Sequence, residues 1–242
     1  MDTLSRLPAF TREWILPVSI NEKGSDDYAS ERVSVTSLGD QRRWNSAIRV
    51  MVFLICLMPF LALVRGVVTN SVGPDPAEHV MHVTGEWVLR LLALVLLATP
   101  LSRWGLPRLA RYRRMLGLYV WFYATLHLLV FAQVYIGWSG EQLTEELVER
   151  PYVMVGFVAW LILVPLGITS ARAVRRKMGR RWQQLHRLTY AVAVLGWLHL
   201  LWLSRSDVRE VFVYGLVYGF LFTIRVRYWL RRSGSAPTYV SL

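Results

Sequence analysis

The sequence predicts an all-α fold: an integral membrane bundle of six transmembrane helices with both termini cytoplasmic. Hydrophobic residues make up 54% of the 242 residues, and the mean hydropathy is +0.35, which is more apolar than an ordinary soluble domain. Several apolar runs approach the length of about 20 residues that a membrane span needs. The formal charge of +12 falls mostly in arginine clusters between these runs. Because the arginines do not line amphipathic helices, the pattern disfavours a nucleic-acid-binding protein.

Six apolar segments are predicted to span the membrane. They are residues 44–68, 83–99, 115–138, 152–169, 182–203 and 211–229. Pro59, Pro100 and Pro165 lie in or at the ends of these spans, where a helix tolerates proline if neighbouring groups satisfy the freed carbonyl. The second span also carries Glu86 and Arg90, which lie four residues apart on one helix face and can form an ion pair.

Polar segments flank the predicted bundle and divide the chain into three parts. Residues 1–43 are polar with little apolar periodicity, which predicts a disordered or loosely attached tail. Their long charged stretch is not typical of a secretory signal peptide. Residues 44–230 form the predicted membrane domain, and residues 231–242 form a short C-terminal tail. The single cysteine, Cys56, excludes a disulfide framework and a cysteine-based metal site, and it is interpreted as a small apolar side chain.

The distribution of basic residues predicts how the bundle is oriented. One side holds eighteen lysine and arginine residues, in segments 101–114, 170–181 and 225–232 and in the flank of the first span. The other side holds three, or four if Arg65 belongs there. Since cytoplasmic loops carry the excess of Lys and Arg, the arginine-rich side and both termini are predicted to be cytoplasmic.

The sequence contains five histidines, which differ in their predicted environment. His79 and His82 flank the start of the second span and are interpreted as solvated or interfacial side chains. His127 and His199 lie deep in the third and fifth spans, where polar side chains are costly and tend to mark function. No acidic residue lies near either in the sequence, so a metal ligand is favoured over a proton relay, and neutral imidazole is a good haem-iron ligand. The alternative is a hydrogen-bonded core histidine.

Depth along the helices favours His127 and His199 as a pair. Measured from the last arginine before each span, His127 lies 13 residues in, His199 lies 18 and His186 lies 5. At 1.5 Å per residue, the depths of His127 and His199 differ by roughly 7 Å, and those of His127 and His186 by roughly 12 Å. His186 and His199 are about 20 Å apart along one helix, so they cannot ligate the same iron. His186 is interpreted as a contact for an electron donor, a flavin or a second haem, or as an interfacial histidine.

Five stretches of the sequence carry a family resemblance. They are RRMLGLYVWFYATLHLLVF, WQQLHRLTYAVAVLGWLH, DPAEHVMHVTGEW, LATPLSR and RPYVMVGFVAWLIL. They resemble the ferric reductase-like transmembrane domain superfamily and, within it, the MsrQ family of haem-binding membrane subunits. The resemblance implies haem ligands at His127, His186 and His199, with one haem b shared by His127 and His199 and a second haem left open. It also implies FMN, although no glycine-rich phosphate loop is visible in the sequence.

The resemblance implies an electron-transfer subunit of an oxidoreductase system. Electrons would come from a cytoplasmic flavin reductase or the quinone pool and cross the bacterial inner membrane through haem. A periplasmic molybdopterin-containing subunit would then reduce methionine sulfoxide in oxidised proteins. One alternative is another membrane cytochrome b, such as a ferric reductase. A transporter or proton channel that depends on histidine would bind no haem, and a purely structural anchor would not need the deep histidines.

Overall fold

A computed structural model describes residues 24–204 and 208–233, and all regular structure within them is helical. The predicted all-α class is confirmed. In these two described ranges, nine α-helices follow one another: α1 Gly24–Val68, α2 Pro76–Arg103, α3 Arg113–Phe131, α4 Gly140–Glu149, α5 Pro151–Ile168, α6 Arg172–Met178, α7 Arg180–Leu185, α8 Thr189–Leu203 and α9 Val208–Ser233. Short 3₁₀ turns lie at Pro107–Arg111 and His186–Leu188, and a π turn lies at Ala132–Ile136.

Five helices in the described part of the chain are long and apolar enough to cross a membrane. They are Arg43–Val68, Pro76–Arg103, Arg113–Ile136, Pro151–Ile168 and Val208–Arg231, and each overlaps one predicted span. The remaining predicted span, residues 182–203, is divided: α7 ends at Leu185, a 3₁₀ turn follows, and α8 has 15 residues. A helix of that length measures about 22 Å, whereas the hydrocarbon core is about 30 Å thick.

Local side-chain hydrogen bonds accompany this division at His186. The Nδ1 atom of His186 lies 3.1 Å from the carbonyl oxygen of Trp182, and the hydroxyl of Thr189 donates to the carbonyl of His186 at 2.8 Å. Such bonds compete with the regular backbone ladder of a helix. Hydropathy does not contain this information, which is why the segment reads as one continuous span in the sequence.

Helix α1 begins before the first predicted span. Residues 24–43 of the predicted tail have helical backbone. Three segments lie outside the described residues: 1–23, 205–207 and 234–242. The last of them contains most of the predicted C-terminal tail. The chain divides at residue 51 into two compact units, and the bundle described below consists of residues from Val52 onward. The domain boundaries at residues 43 and 230 stay a prediction.

Helix α2 lies at the centre of the bundle and packs against α3, α8 and α9. Its Leu91, Leu92 and Leu96 are buried in the main hydrophobic core. The helix starts where its sequence dictates: the side chain of Asp75 accepts a hydrogen bond from the backbone N–H of Glu78 at 2.9 Å, and Pro76 occupies the first helical position. Both residues are typical of a helix N-terminus.

Two hydrogen bonds show that α2 and α9 run parallel. The hydroxyl of Tyr218 donates to the carbonyl of Leu89, and Nη2 of Arg225 donates to the carbonyl of Leu96, both at 2.9 Å. Seven residues separate the two contacts on each helix, so the same register holds along both. We call the end of the bundle with residues 101–114 and 170–181 the arginine-rich end. The opposite end, with residues 69–75 and 137–150, is the arginine-poor end.

A tyrosine hydroxyl bridges two backbone groups of α1 beside Pro59, a contact that we call the repair at Pro59. The N–H of Phe60 donates to the hydroxyl of Tyr123 at 3.1 Å, and that hydroxyl donates to the carbonyl of Cys56 at 2.8 Å. In an undisturbed helix, the groups of Phe60 and Cys56 would bond to each other. Proline disrupts the helical hydrogen-bond pattern at this point. The fully buried side chain of Tyr123 in α3 bonds to both groups instead. A neighbouring helix thus supplies a polar partner to the backbone beside the proline.

We expect Tyr123→Phe to lower the free energy of unfolding in detergent by about 1 kcal/mol, because two backbone groups of α1 lose their side-chain partner. Tyr119→Phe is the matched control. The hydroxyl of Tyr119, one turn earlier, makes a single bond to the carbonyl of Phe53 at 3.0 Å. Denaturant titration of both variants beside the wild type would measure the difference, and an equal loss in the two variants would contradict the repair role.

Candidate functional site

His127 of α3 and His199 of α8 lie side by side within the bundle. Their ring centroids are 6.3 Å apart and their planes are nearly perpendicular, at 88°. Both side chains are partly buried. The two rings that depth along the helices favoured as a pair are therefore neighbours in the structure, on helices α3 and α8 that run in the same direction, and their role as haem ligands stays a prediction. His186 does not join this pair and lies nearer the arginine-rich end.

The ring of His127 is held by the first turns of α2. Its Nδ1 atom lies 3.1 Å from the carbonyl oxygen of Met81 and 3.2 Å from the hydroxyl of Thr84. The carbonyl can only accept, and Thr84 donates its own proton to the carbonyl of Val80 at 2.7 Å. Nδ1 must then carry the proton of the neutral imidazole, which leaves the lone pair on Nε2 for a metal.

The ring of His199 is held in the same way by α5. Its Nδ1 atom lies 2.6 Å from the carbonyl oxygen of Tyr152, in the first turn of that helix. The same reasoning places the proton on Nδ1 and the lone pair on Nε2. Ligating histidines usually donate their second ring N–H to a carbonyl or carboxylate, which fixes the orientation of the ring. Both imidazoles satisfy that condition.

A glycine accompanies each of these carbonyls, four residues further along the same helix. Gly85 follows Met81, and Gly156 follows Tyr152. A Cβ atom on Gly156 would lie 2.8 Å from Nδ1 of His199, and one on Gly85 would lie 3.3 Å from Cε1 of His127. The missing side chain leaves room for the ring beside the carbonyl. The rings of His127 and His199 are thus positioned by the same local arrangement, a helix carbonyl with a glycine four residues later, on different helix pairs.

The spacing of the two rings suits residues that would both ligate one haem iron. Two imidazoles that bind one metal ion from opposite sides have ring centroids about 6 Å apart. This distance is the sum of two metal–nitrogen bonds of about 2 Å each and the distances from the two nitrogens to their ring centres. The observed separation of 6.3 Å agrees with that value. Both rings offer a neutral nitrogen with a lone pair, which is the donor that haem iron takes in bis-histidine proteins. The residues present therefore suit the group that the sequence pattern predicts.

His186 lies in the wall of a separate cavity at the arginine-rich end. Its ring stacks on Trp182, with centroids 4.0 Å apart and planes 27° from parallel. The cavity has a volume of about 440 Å³, within the range of about 300–1,000 Å³ typical of ligand pockets. Its wall includes four arginines and three further aromatic side chains: Arg113, Arg114, Arg175, Arg187, Trp121, Trp182 and Tyr190.

Two buried donors in this cavity wall have no partner among the described residues. They are Nε of Arg114 and Nε1 of Trp121. Buried N–H groups without a partner are rare in folded proteins and call for an explanation. Both residues line the cavity, so a bound molecule with acceptor oxygens would lie beside these side chains. The chemistry of the wall, cationic and aromatic together, suits an anionic aromatic ligand.

Sequence reasoning missed the residues that orient the two histidines. Gly85, Gly156 and Thr84 lie in stretches that carried the family resemblance, but nothing in the sequence paired them with an imidazole. The available signal was a glycine inside an apolar helical segment, which often marks a close approach between helices. That signal does not say which residue approaches.

Comparison with known proteins identifies related chains. Residues 84–197 match the family described as "Ferric reductase like transmembrane component". A protein of Polaromonas naphthalenivorans (strain CJ2) is 37% identical over 201 residues, which cover 80% of this chain and 92% of the relative. A protein of Ralstonia nicotianae is 44% identical over 190 residues, or 77% and 87%. A protein of Xanthomonas campestris pv. campestris is 43% identical over 171 residues, or 70% and 78%. All three are named "Protein-methionine-sulfoxide reductase heme-binding subunit MsrQ".

We expect Gly156→Ala to reduce the haem retained by the purified protein and to lower its stability by about 1–3 kcal/mol, because the new methyl group overlaps the ring of His199. Gly219→Ala in α9 is the matched control, since a Cβ atom there meets nothing within 4 Å. Reduced-minus-oxidised visible spectra and thermal unfolding of both variants would measure the effect. Normal haem content in Gly156→Ala would show that the glycine does not support the ligand.

Proposed function

We propose a function for this chain from one premise: the chain belongs to the MsrQ family of heme-binding subunits of protein-methionine-sulfoxide reductases. In this proposal the chain is a membrane b-type cytochrome. It takes electrons at its arginine-rich end and delivers them at its arginine-poor end to a reductase partner. The chain carries electrons, and the reduction of the oxidised methionine takes place on that partner.

The observation that carries the proposal is the neighbouring pair His127 and His199. Their rings are 6.3 Å apart, and each ring nitrogen Nδ1 is engaged by a carbonyl of a neighbouring helix. A transporter or proton channel would use histidines that exchange protons with water or acidic groups. Rings fixed at Nδ1 by two separate helix backbones are suited to a stationary ligand role instead.

Haem iron, when bound by these residues, supplies one-electron exchange without a proton carrier. The residues of this chain contribute position and environment. The carbonyls of Met81 and Tyr152 fix the ring orientations and increase the basicity of the ligating nitrogens. The surrounding apolar helices exclude water from the pair and thereby influence the redox potential.

The distribution of charge supports the proposed orientation in the bacterial inner membrane. The arginine-rich end, with both chain termini, faces the cytoplasm, and residues 182–203 complete a sixth span. The electron donor there is a cytoplasmic flavin reductase or the quinone pool. The arginine-poor end faces the periplasm, where the partner is a molybdopterin-containing subunit. These assignments follow the family resemblance and the positive-inside rule.

FMN is the ligand that we propose for the cavity beside His186. Its phosphate suits the arginines of the wall, and its ring system suits the aromatic surface formed by Trp182, Tyr190 and His186. A second haem is the competing occupant, because His186 also offers Nε2 while its Nδ1 contacts the carbonyl of Trp182. The cationic wall would suit haem propionates as well.

We expect His127→Ala or His199→Ala to abolish most of the b-type absorbance in dithionite-reduced minus oxidised spectra, because either change removes a ligand of the shared haem. His186→Ala should alter the spectrum and leave this haem bound, and His79→Ala, at the exposed start of α2, should change nothing. A partial loss of haem in each of His127→Ala, His186→Ala and His199→Ala would indicate two haem sites. A colourless wild-type protein, folded and purified from cells with sufficient haem, would overturn the cytochrome proposal.

We expect Arg114→Gln to weaken FMN binding about tenfold or more, because a hydrogen bond to a charged group contributes about 1.5–3 kcal/mol and about 1.4 kcal/mol corresponds to a factor of ten. Arg111→Gln is the matched control, since Arg111 is exposed and lies outside the cavity wall. Titration of the purified protein with FMN, followed by flavin fluorescence, would measure both. Loss of haem instead of flavin in Arg114→Gln would assign the cavity to a second haem.

A further inference from the structure

Three side chains of ligand type meet at the arginine-poor end of the bundle, away from the paired histidines. His82 and Glu86 belong to α2, and Glu210 belongs to α9. One ligand atom of each lies within 4.8 Å of the other two. We propose that these residues form a binding site for a divalent metal ion of the zinc type. Neither the family comparison nor the proposed electron-transfer function requires such a site.

The fold brings the three residues together in two ways. His82 and Glu86 are four residues apart on α2, so they share one face of that helix. Helix α9 runs parallel to α2 in a register held by the bonds from Tyr218 to Leu89 and from Arg225 to Leu96. That register sets the first turn of α9, with Glu210, beside the second turn of α2. The contact between the helices therefore does not depend on an ion, and it brings the three ligand atoms within 4.8 Å of one another before any ion binds.

The chemistry of the set favours zinc over the common hard cations. One imidazole nitrogen and two carboxylate oxygens are ordinary zinc ligands, with bond lengths of about 2.0–2.2 Å. Ligand atoms of a tetrahedral ion with such bonds lie about 3.4 Å apart. Nε2 of His82 is 3.6 Å from Oε1 of Glu86, which is close to that spacing. Calcium and magnesium prefer six or more oxygen ligands, which a site with an imidazole nitrogen suits less well.

Arg90 uses the other oxygen of Glu86 and leaves the proposed ligand atom available. Its Nη2 atom lies 2.7 Å from Oε2 of Glu86, so the ion pair expected from the sequence spacing is confirmed. The carboxylate is thereby fixed in orientation, with Oε1 directed towards His82. Hydrogen bonds of this kind to a ligating carboxylate are typical of metal sites. The side chain of His82 is 64% exposed, so water can complete the coordination and the ion can exchange.

Occupation of this site would join α9 to the turn of α2 that holds His127. Met81 and Thr84, which contact the ring of His127, lie on either side of His82 in the sequence. An ion bound by both helices would restrict the motion of that turn. The site would therefore stabilise the arginine-poor end of the bundle, by an amount that grows with the logarithm of the free zinc concentration once that concentration exceeds the dissociation constant.

The experiment is equilibrium dialysis of the full-length, detergent-purified protein against zinc chloride after removal of bound metal with a chelator. Zinc per chain would be measured by mass spectrometry for the wild type, His82→Ala, Glu210→Gln and His79→Ala. His79→Ala is the matched control, because His79 is also exposed and lies one turn earlier on α2. We expect the wild type and His79→Ala to bind one zinc ion more per chain than the other two variants, whose affinity falls at least about tenfold.

The comparison between variants keeps the result independent of haem. Zinc held elsewhere, including at His127 and His199 in haem-free protein, contributes equally to all four proteins and cancels. Glu210→Gln preserves side-chain size, so it carries the test if His82→Ala fails to fold, as judged by circular dichroism. A thermal midpoint that rises with zinc only in the wild type and His79→Ala would support the site. Equal zinc binding by all four proteins, or no saturable binding by the wild type, would overturn it.

Discussion

The bond between an imidazole Nδ1 and a backbone carbonyl, made twice, is the interaction on which the site depends. Each bond joins two antiparallel helices, α2 with α3 and α5 with α8, near the arginine-poor end. A carbonyl inside a helix is usually covered by the side chain four residues later, and in both cases that residue is glycine. The rings can therefore reach the carbonyls without distorting the helices. The same contacts that position the rings also align the two helix pairs.

The bundle separates two kinds of chemistry between its ends. The paired histidines lie towards the arginine-poor end, among apolar helices. So does the turn of α2 that contacts the ring of His127. The cavity beside His186 lies at the other end, with arginines and aromatic rings in its wall. Thirteen residues separate His186 from His199, about 20 Å along a helix. The proposed flavin and the proposed haem would therefore not compete for the same side chains.

Much of this arrangement could be predicted, because arginine clusters in the sequence indicate where the predicted spans begin. Depth counted from those clusters paired His127 with His199, and helical spacing predicted the pair of Glu86 and Arg90. The supporting glycines could not be predicted, since their role depends on which ring lies opposite. Glu210 was missed for a similar reason: only the register of α9 against α2 brings it to His82. The division of the predicted span 182–203 at His186 is accompanied by local side-chain bonds, to which hydropathy is insensitive.

The repair at Pro59 has a consequence for biosynthesis. Tyr123 follows Phe60 by 63 positions in the chain, so the ribosome completes α1 well before the hydroxyl that it needs exists. Until α3 arrives, two backbone groups of α1 face lipid or translocon without their final partner, at a cost in free energy. Helix α1 is thus a dependent element whose native form is reached only by docking a later one. Insertion of this protein is thereby committed to an order in which the third helix stabilises the first.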